Sequence, residues 1–208
     1  MIDLTTPVNR YPGGDAAIIT NRKVAGANAT FNCHRIHMDS NTGTHINFPS
    51  HLDESGSSLR SGDVDIKEFW MLPTAVIHVD LNGRKTVSAD MLATALDAPI
   101  RDHLIVHALG EKDQSHYPGG QGRPGFDESA VQWLLAQPFR ILTSDVLENP
   151  EPENRTDICG RLYKAGRCIV FGAHNLHLIK QSECKSCIIP LCADGLTQAP
   201  CRLLASQG

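Results

Sequence analysis

Aromatic residues are scarce in this chain, at 5% of its 208 residues, and no block of like charge occurs. The formal net charge is -4 and the pI is near 6.2. A nucleic-acid interface needs a basic stripe with aromatics between, so that partner class is not expected. No apolar run approaches the ~18 residues of a membrane span, so no membrane association is expected either. The opening MIDLTTPVNRYPGG lacks a basic region followed by an apolar one, which predicts no signal peptide and a cytoplasmic protein. A full set of disulfides is also missing. The seven cysteines are an odd number, and in a reducing compartment they read as free thiols. Cys184-x-x-Cys187 has half of a zinc-knot spacing, but Cys192 and Cys201 do not supply the other half. These four are expected as core thiols on C-terminal strands, where free Cys packs as a small apolar residue.

Hydrophobic residues make up 41% of the chain and charged residues 20%, which suits a globular protein. The length suits one domain over residues 1–208, with an N-terminal arm. Strand character marks TFNCHRIHM, TAVIHVDL, HLIVHAL, RILTSD, CIVFG, SCIIPLC and PCRLLA. SADMLATALDAP reads as a helix capped by Ser88 and followed by Pro99. FDESAVQWLLAQ is the clearest helix, with Asp127 as N-cap and Val131, Leu134 and Leu135 at helical spacing. ICGRLYKAG looks like a helix closed by Gly166. Strands alternate with helices, so an α/β fold is expected. Trp70 and Trp133 read as packing residues.

The stretch SNTGTHINFPSH, Ser40 to His51, concentrates the chemistry. If it were fully extended, Asn41, Gly43, His45, Asn47, Pro49 and His51 would share one face. Imidazoles and carboxamides would then converge, in the outline of a metal site that lacks its carboxylate. His174 and His177 form a second histidine pair, but surface residues explain them more simply.

This stretch resembles the signature H-x-G-T-H-x-D-x-P-x-H of the cyclase family, which includes bacterial kynurenine formamidase and isatin hydrolase. The likeness extends to IDLTTPV and YPGG at the start, HLDESG after the motif, and FDESAVQWL before the strand ending at Asp145. It closes on IIPLCADGLTQAPCRLLA, where Arg202 matches a family arginine of expected structural role. The resemblance implies a swivelling β/β/α domain with a mixed sheet and flanking helices, assembled as a homodimer or homotetramer; the N-terminal arm is a candidate contributor to that assembly. In the family two His and one Asp of the motif hold metal, joined by a later His and Glu. Those positions here carry Asn41, His45, Asn47, Cys159 and Phe171, so one of five matches. The last motif His, which acts on protons in the family, is His51.

Two divalent ions carry four positive charges, and neutral carboxamides neither offset them nor bind as strongly as carboxylates. The expected reading is an enzyme without a metal cofactor, with His51, His45, Asn41 and Asn47 in acid–base and oxyanion roles. Ring closure, dehydration, isomerisation or lactone opening of a small carbonyl-bearing metabolite fits that inventory. Cys159 is a candidate nucleophile, and Thr44, Phe171, Tyr117 and Arg123 are candidate substrate contacts. Two alternatives stand beside it. One is a metal-dependent amidase or lactonase, arylformamidase-like, with a single Zn or Mn on a rebuilt set such as His45, His51 and Cys159. The other is a catalytically silent binding relative.

Overall fold

In the computed structural model, residues 1–8, 17–111, 122–147 and 157–207 are described. Tyr117 lies outside them. The strands β4 (His45–Asn47), β5 (Leu72–His78), β7 (His103–His107), β9 (Ile141–Ser144), β10 (Cys168–Phe171), β11 (Glu183–Pro190) and β12 (Gln198–Ser206) form one mixed sheet. Its order is β12-β11-β5-β7-β9-β10-β4, and β4 pairs back onto β12. The seven strands therefore close into a barrel. The strand β1 (Ile2–Asp3) takes the edge of β12 that β4 leaves open: Asn47 faces Gln198 at one end, and Ile2 faces Ala205 at the other.

The strands β5, β7, β9 and β10 run parallel. Parallel strands are buried on both faces, which explains their near-continuous apolar runs. Alternate residues separate two cores. Leu104, Val106, Leu142 and Ile169 face out, against helices α1 (Ala89–Ala95), α2 (Glu128–Ala136) and α3 (Ile158–Lys164), meeting Leu92, Val131, Leu134 and Leu162. Val76, Ile105, Ile141 and Val170 face in, against Ile46, Phe48, Ile188 and Leu203. Burying each such side chain is worth about 1.5–3 kcal/mol. The result is a mixed α/β fold with few helices on one side of a sheet that closes on itself.

The helix starts match the sequence reading. Ser88 Oγ accepts from the Met91 amide and an Asp127 carboxylate oxygen accepts from Ala130. Asp157 caps α3 in the same way through Gly160. At the other end of α3, Gly166 takes a φ of 74° and its amide donates to the Tyr163 carbonyl, which closes the helix.

Cys184, Cys187 and Cys201 are buried, and Cys192 is exposed. Burial pushes the Cys168 thiol up to about 12 and Cys184 to about 11, and raises Cys201 as well. These are packed, protonated thiols. His103 is fully buried in a polar chain inside the sheet: its ring nitrogens meet Ser186 Oγ at 2.7 Å and Thr143 Oγ1 at 2.8 Å, and Thr74 Oγ1 meets Ser186 at 2.8 Å.

The alternation of TFNCHRIHM gives β3 (Thr30–His37), but among the described residues this strand pairs only with β2 (Ile18–Ala25) as a separate ribbon, as β6 (Thr86–Val87) and β8 (Gly125–Phe126) pair with each other. All its residues except Cys33 are exposed, including Phe31 and Ile36. Among the described residues, no helix is long and apolar enough to cross a membrane.

Candidate active site

The extended part of the motif is short. Only His45–Asn47 pairs as a strand, with Phe171 opposite His45 on one side and Pro200 opposite it on the other. Ile46 and Phe48 point into the barrel core, so His45 and Asn47 share the opposite face. Gly43 precedes the strand with a φ of 72°, and a side chain there would lie 3.1 Å from the Thr6 carbonyl oxygen. Glycine is needed at this position for both reasons. After the strand, Pro49–His51 form a 3₁₀ turn rather than continuing the extended chain, and the turn packs against α3.

His45 is buried, with Nδ1 3.0 Å from the Gly43 carbonyl oxygen. That oxygen can only accept, so Nδ1 carries the proton. The ring stacks on Phe171, with centroids 5.3 Å apart and planes at 9°. Phe171 thus supports the imidazole as an apolar wall. Thr44 Oγ1 accepts from the Thr6 amide and donates to the Gly172 carbonyl, both at 2.7 Å. Its hydroxyl ties the N-terminal segment to the end of β10.

Asn47 is buried and donates from Nδ2 to the Tyr163 hydroxyl at 3.0 Å. Among the described residues its Oδ1 is buried without a partner, as are Asn41 Oδ1 and Thr42 Oγ1. Unpaired buried acceptors are costly, about 1–3 kcal/mol each, and mark positions where a bound group would supply donors. His51 lies with its ring edge-on to Tyr163, with centroids 6.1 Å apart, and Nδ1 is 3.2 Å from Thr197 Oγ1. Partial burial lowers its pKa from the ordinary imidazole value, which favours the neutral, proton-accepting ring.

Tyr163 is the residue that sequence reasoning missed, because it joins Asn47 to His51 and stands outside every motif. A signal was present: Tyr163 lies four residues after Cys159 on α3, and therefore on the same helix face. Cys159 is half-buried against the helix-side core, and the cap at that helix start is the Asp157 carboxylate rather than a cation. Arg123 is half-buried between Gly122 and Pro124, which line a different cavity. His174 and His177 flank and enter a 3₁₀ turn at Leu176–Leu178 and belong to no cluster of metal-binding groups among the described residues.

The donor set decides how a metal could sit here. No three His, Cys, Asp or Glu side chains come together as a metal-holding group among the described residues. His45, His51 and Cys159 are therefore not gathered into one ligand set. The orphaned oxygens of the motif belong to neutral carboxamides and a hydroxyl. They do not fit a pair of divalent ions, which require anionic ligands to balance the charge.

The cyclase family model matches residues 2–149, well over half of the chain. No curated protein matches it. Among solved structures, one described as a potential metal-dependent hydrolase with cyclase activity has 20% identity and a TM-score of 0.72, covering 98% of this chain and 96% of the other. Isatin hydrolase A from Labrenzia aggregata, bound to benzyl benzoate, has 18% identity and a TM-score of 0.76, with 98% and 92% covered. A predicted metal-dependent hydrolase from Bacillus stearothermophilus has 20% identity and a TM-score of 0.71, with 98% and 96% covered. At these identities the structural likeness establishes the fold. The match of the family model over most of the length goes further, and the chain belongs to the cyclase family.

Proposed function

We propose that this protein is a cyclase-family enzyme, built on the swivelling β/β/α plan as one domain, that moves protons without the two-metal group. Its substrate would be a small carbonyl-bearing metabolite, and its reaction a ring closure, dehydration, isomerisation or lactone opening. The observation that carries this reading is Asn47, neutral, buried and hydrogen-bonded to Tyr163 where a bridging carboxylate would be needed. In this reading, neutral His51 takes a proton from a substrate O–H or N–H as the new bond forms. It returns that proton to the oxygen that leaves or is neutralised. His45, held by Gly43 and Phe171, forms a fixed wall against which the substrate packs. The orphaned oxygens of Asn41, Thr42 and Asn47 accept hydrogen bonds from the bound molecule, in place of the oxyanion-donating role expected for the two asparagines.

A second reading, a hydrolase of the amidase or lactonase type with a single metal, rests on the same orphaned oxygens. Amide and hydroxyl oxygens beside one imidazole suit Mn better than Zn. One experiment divides the two. Untagged protein is treated with a chelator and assayed against a panel of lactones and hydroxy-carbonyl compounds. Turnover that survives chelation and falls about 100- to 10,000-fold in His51→Ala supports proton transfer. Turnover lost on chelation and restored by Mn²⁺ or Zn²⁺ supports the hydrolase instead.

We infer further that the protein assembles as a homodimer or homotetramer through the β2–β3 ribbon. An isolated two-stranded ribbon is marginal in water, and this one exposes Ile18, Ile19, Phe31 and Ile36. Sedimentation of Phe31→Lys against wild type tests this: unchanged assembly refutes the role of the ribbon.

A further inference from the structure

The carboxyl ends of β5, β7 and β9 carry a second group of titratable residues. His78 ends β5, His107 ends β7, and Asp145 follows β9. His78 and His107 are register partners, with rings edge-to-face and centroids 5.3 Å apart. Asp145 and His107 are both buried, and Nδ1 of His107 lies 2.6 Å from Asp145 Oδ2. The amides of Ala108 and Leu109 donate to Asp145 Oδ1 and Oδ2 at 2.9 and 3.1 Å. Three donors thus fix the carboxylate, and the carboxylate fixes the tautomer of the ring. With the proton on Nδ1, Nε2 of a neutral His107 carries the lone pair. No hydrogen bond occupies Nε2 among the described residues.

His107 lines a cavity of about 830 Å³, within the size range of small-molecule sites. No residue of the Ser40–His51 motif lines it. Strand β9 separates β7 from β10, which puts His107 about 10 Å along the sheet from the strand that supports His45. Ligands of α/β sheets commonly sit outside the carboxyl ends of parallel strands. The lining is chemically mixed. Leu81, Leu109 and Ile179 supply an apolar wall, Arg84, Lys85 and Lys180 supply positive charge, and Asp80 and Glu111 supply a smaller negative one.

We infer that this cavity is a second binding site, for a small hydroxy-carboxylate with an apolar body. Its carboxylate pairs with Arg84 and Lys180, and its hydroxyl donates to Nε2 of His107, which Asp145 orients. The site is independent of the proton chemistry assigned to His51.

Mandelate and phenylacetate test the assignment, because they differ by the one hydroxyl. Binding is followed by NMR and calorimetry on the full chain. Mandelate should bind saturably, at least about tenfold tighter than phenylacetate, with shifts at His78, His107 and Lys180. The preference should vanish in His107→Gln and Asp145→Asn and persist in His51→Ala. Equal affinity for the two probes, no saturable binding, or shifts located elsewhere overturns the proposal. Inorganic phosphate competing as well as mandelate also overturns it, since the site would then read charge alone. Should the dyad variants unfold, the wild-type tautomer decides: ¹⁵N shifts should place the His107 proton on Nδ1, and a proton on Nε2 refutes the orientation.

Discussion

Lowering the pH should weaken this protein through one residue in particular, His103. Its ring is fully buried and held between two hydroxyls, Ser186 and Thr143. A neutral imidazole donates from one nitrogen and accepts at the other, and hydroxyls serve both needs. A protonated ring would be a charge in the interior with no counter-ion among these contacts. Burial accordingly lowers its pKa to about 3 from the ordinary 6.5. Between these values the unfolded chain binds a proton that the folded chain refuses. The contribution is therefore fully present above pH 6.5, falls as pH drops below it, and is entirely lost below about pH 3. At pH 5, about 1.5 pH units below the unfolded value, the loss is about 2 kcal/mol at 1.36 kcal/mol per unit. That is a large share of the ~5–15 kcal/mol that stabilises a typical domain. Urea unfolding of wild type and His103→Gln at pH 7.5 and 5.0 measures it, because the other histidines cancel in the difference. The stability gap between the two proteins should narrow by about 2 kcal/mol on acidification. Parallel pH dependence in both proteins would refute the argument.

Four further outcomes follow from the site and the scaffold. In the proton-transfer reading, kcat/KM should rise with pH through an apparent pKa below the ordinary imidazole value, and His51→Ala should abolish that limb of the profile. Asn47→Asp places a carboxylate where the donors are neutral and one oxygen is already orphaned, so it should destabilise by about 2–4 kcal/mol at pH 8 and less at pH 4; chemical denaturation at both pH values checks this, and unchanged stability at pH 8 contradicts the neutral pocket. Gly43→Ala puts a side chain at φ 72° against the Thr6 carbonyl and Val8, for a cost of about 1–3 kcal/mol in urea unfolding. Asp127→Ala removes the cap that receives the Ala130 amide and should cost about 1 kcal/mol, visible as a lower Tm.

Much of the scaffold was legible because its signals are local. HLIVHAL and RILTSD are strands buried on both faces, and their apolar runs say so without any partner in view. Ser88 and Asp127 cap helices within three residues of themselves. Closure of the barrel was not legible. It depends on a three-residue strand, His45–Asn47, bridging β10 and β12 more than a hundred residues away. Three residues carry too little periodicity to announce a strand, and nothing local in them names two partners. The ribbon strand TFNCHRIHM was legible as a strand, but its exposure was not: its apolar side chains find no cover within the described chain.

The site divides along the same line. Asn41, His45, Asn47 and His51 could be found because a chemical pattern lies within eleven residues. The same pattern could not tell which amide atoms are engaged. That depends on Tyr163, 116 residues from Asn47, taking one end of the carboxamide and leaving the other unpaired. Nor does the sequence bring His107 to Asp145, 38 residues on, because only the parallel register of β7 and β9 makes them neighbours. In both cases a short run of sequence fixes the donors, and the pairing of distant strands and helices fixes which lone pairs stay open. The chemistry of this fold is therefore set less by the motif than by what the scaffold holds against it.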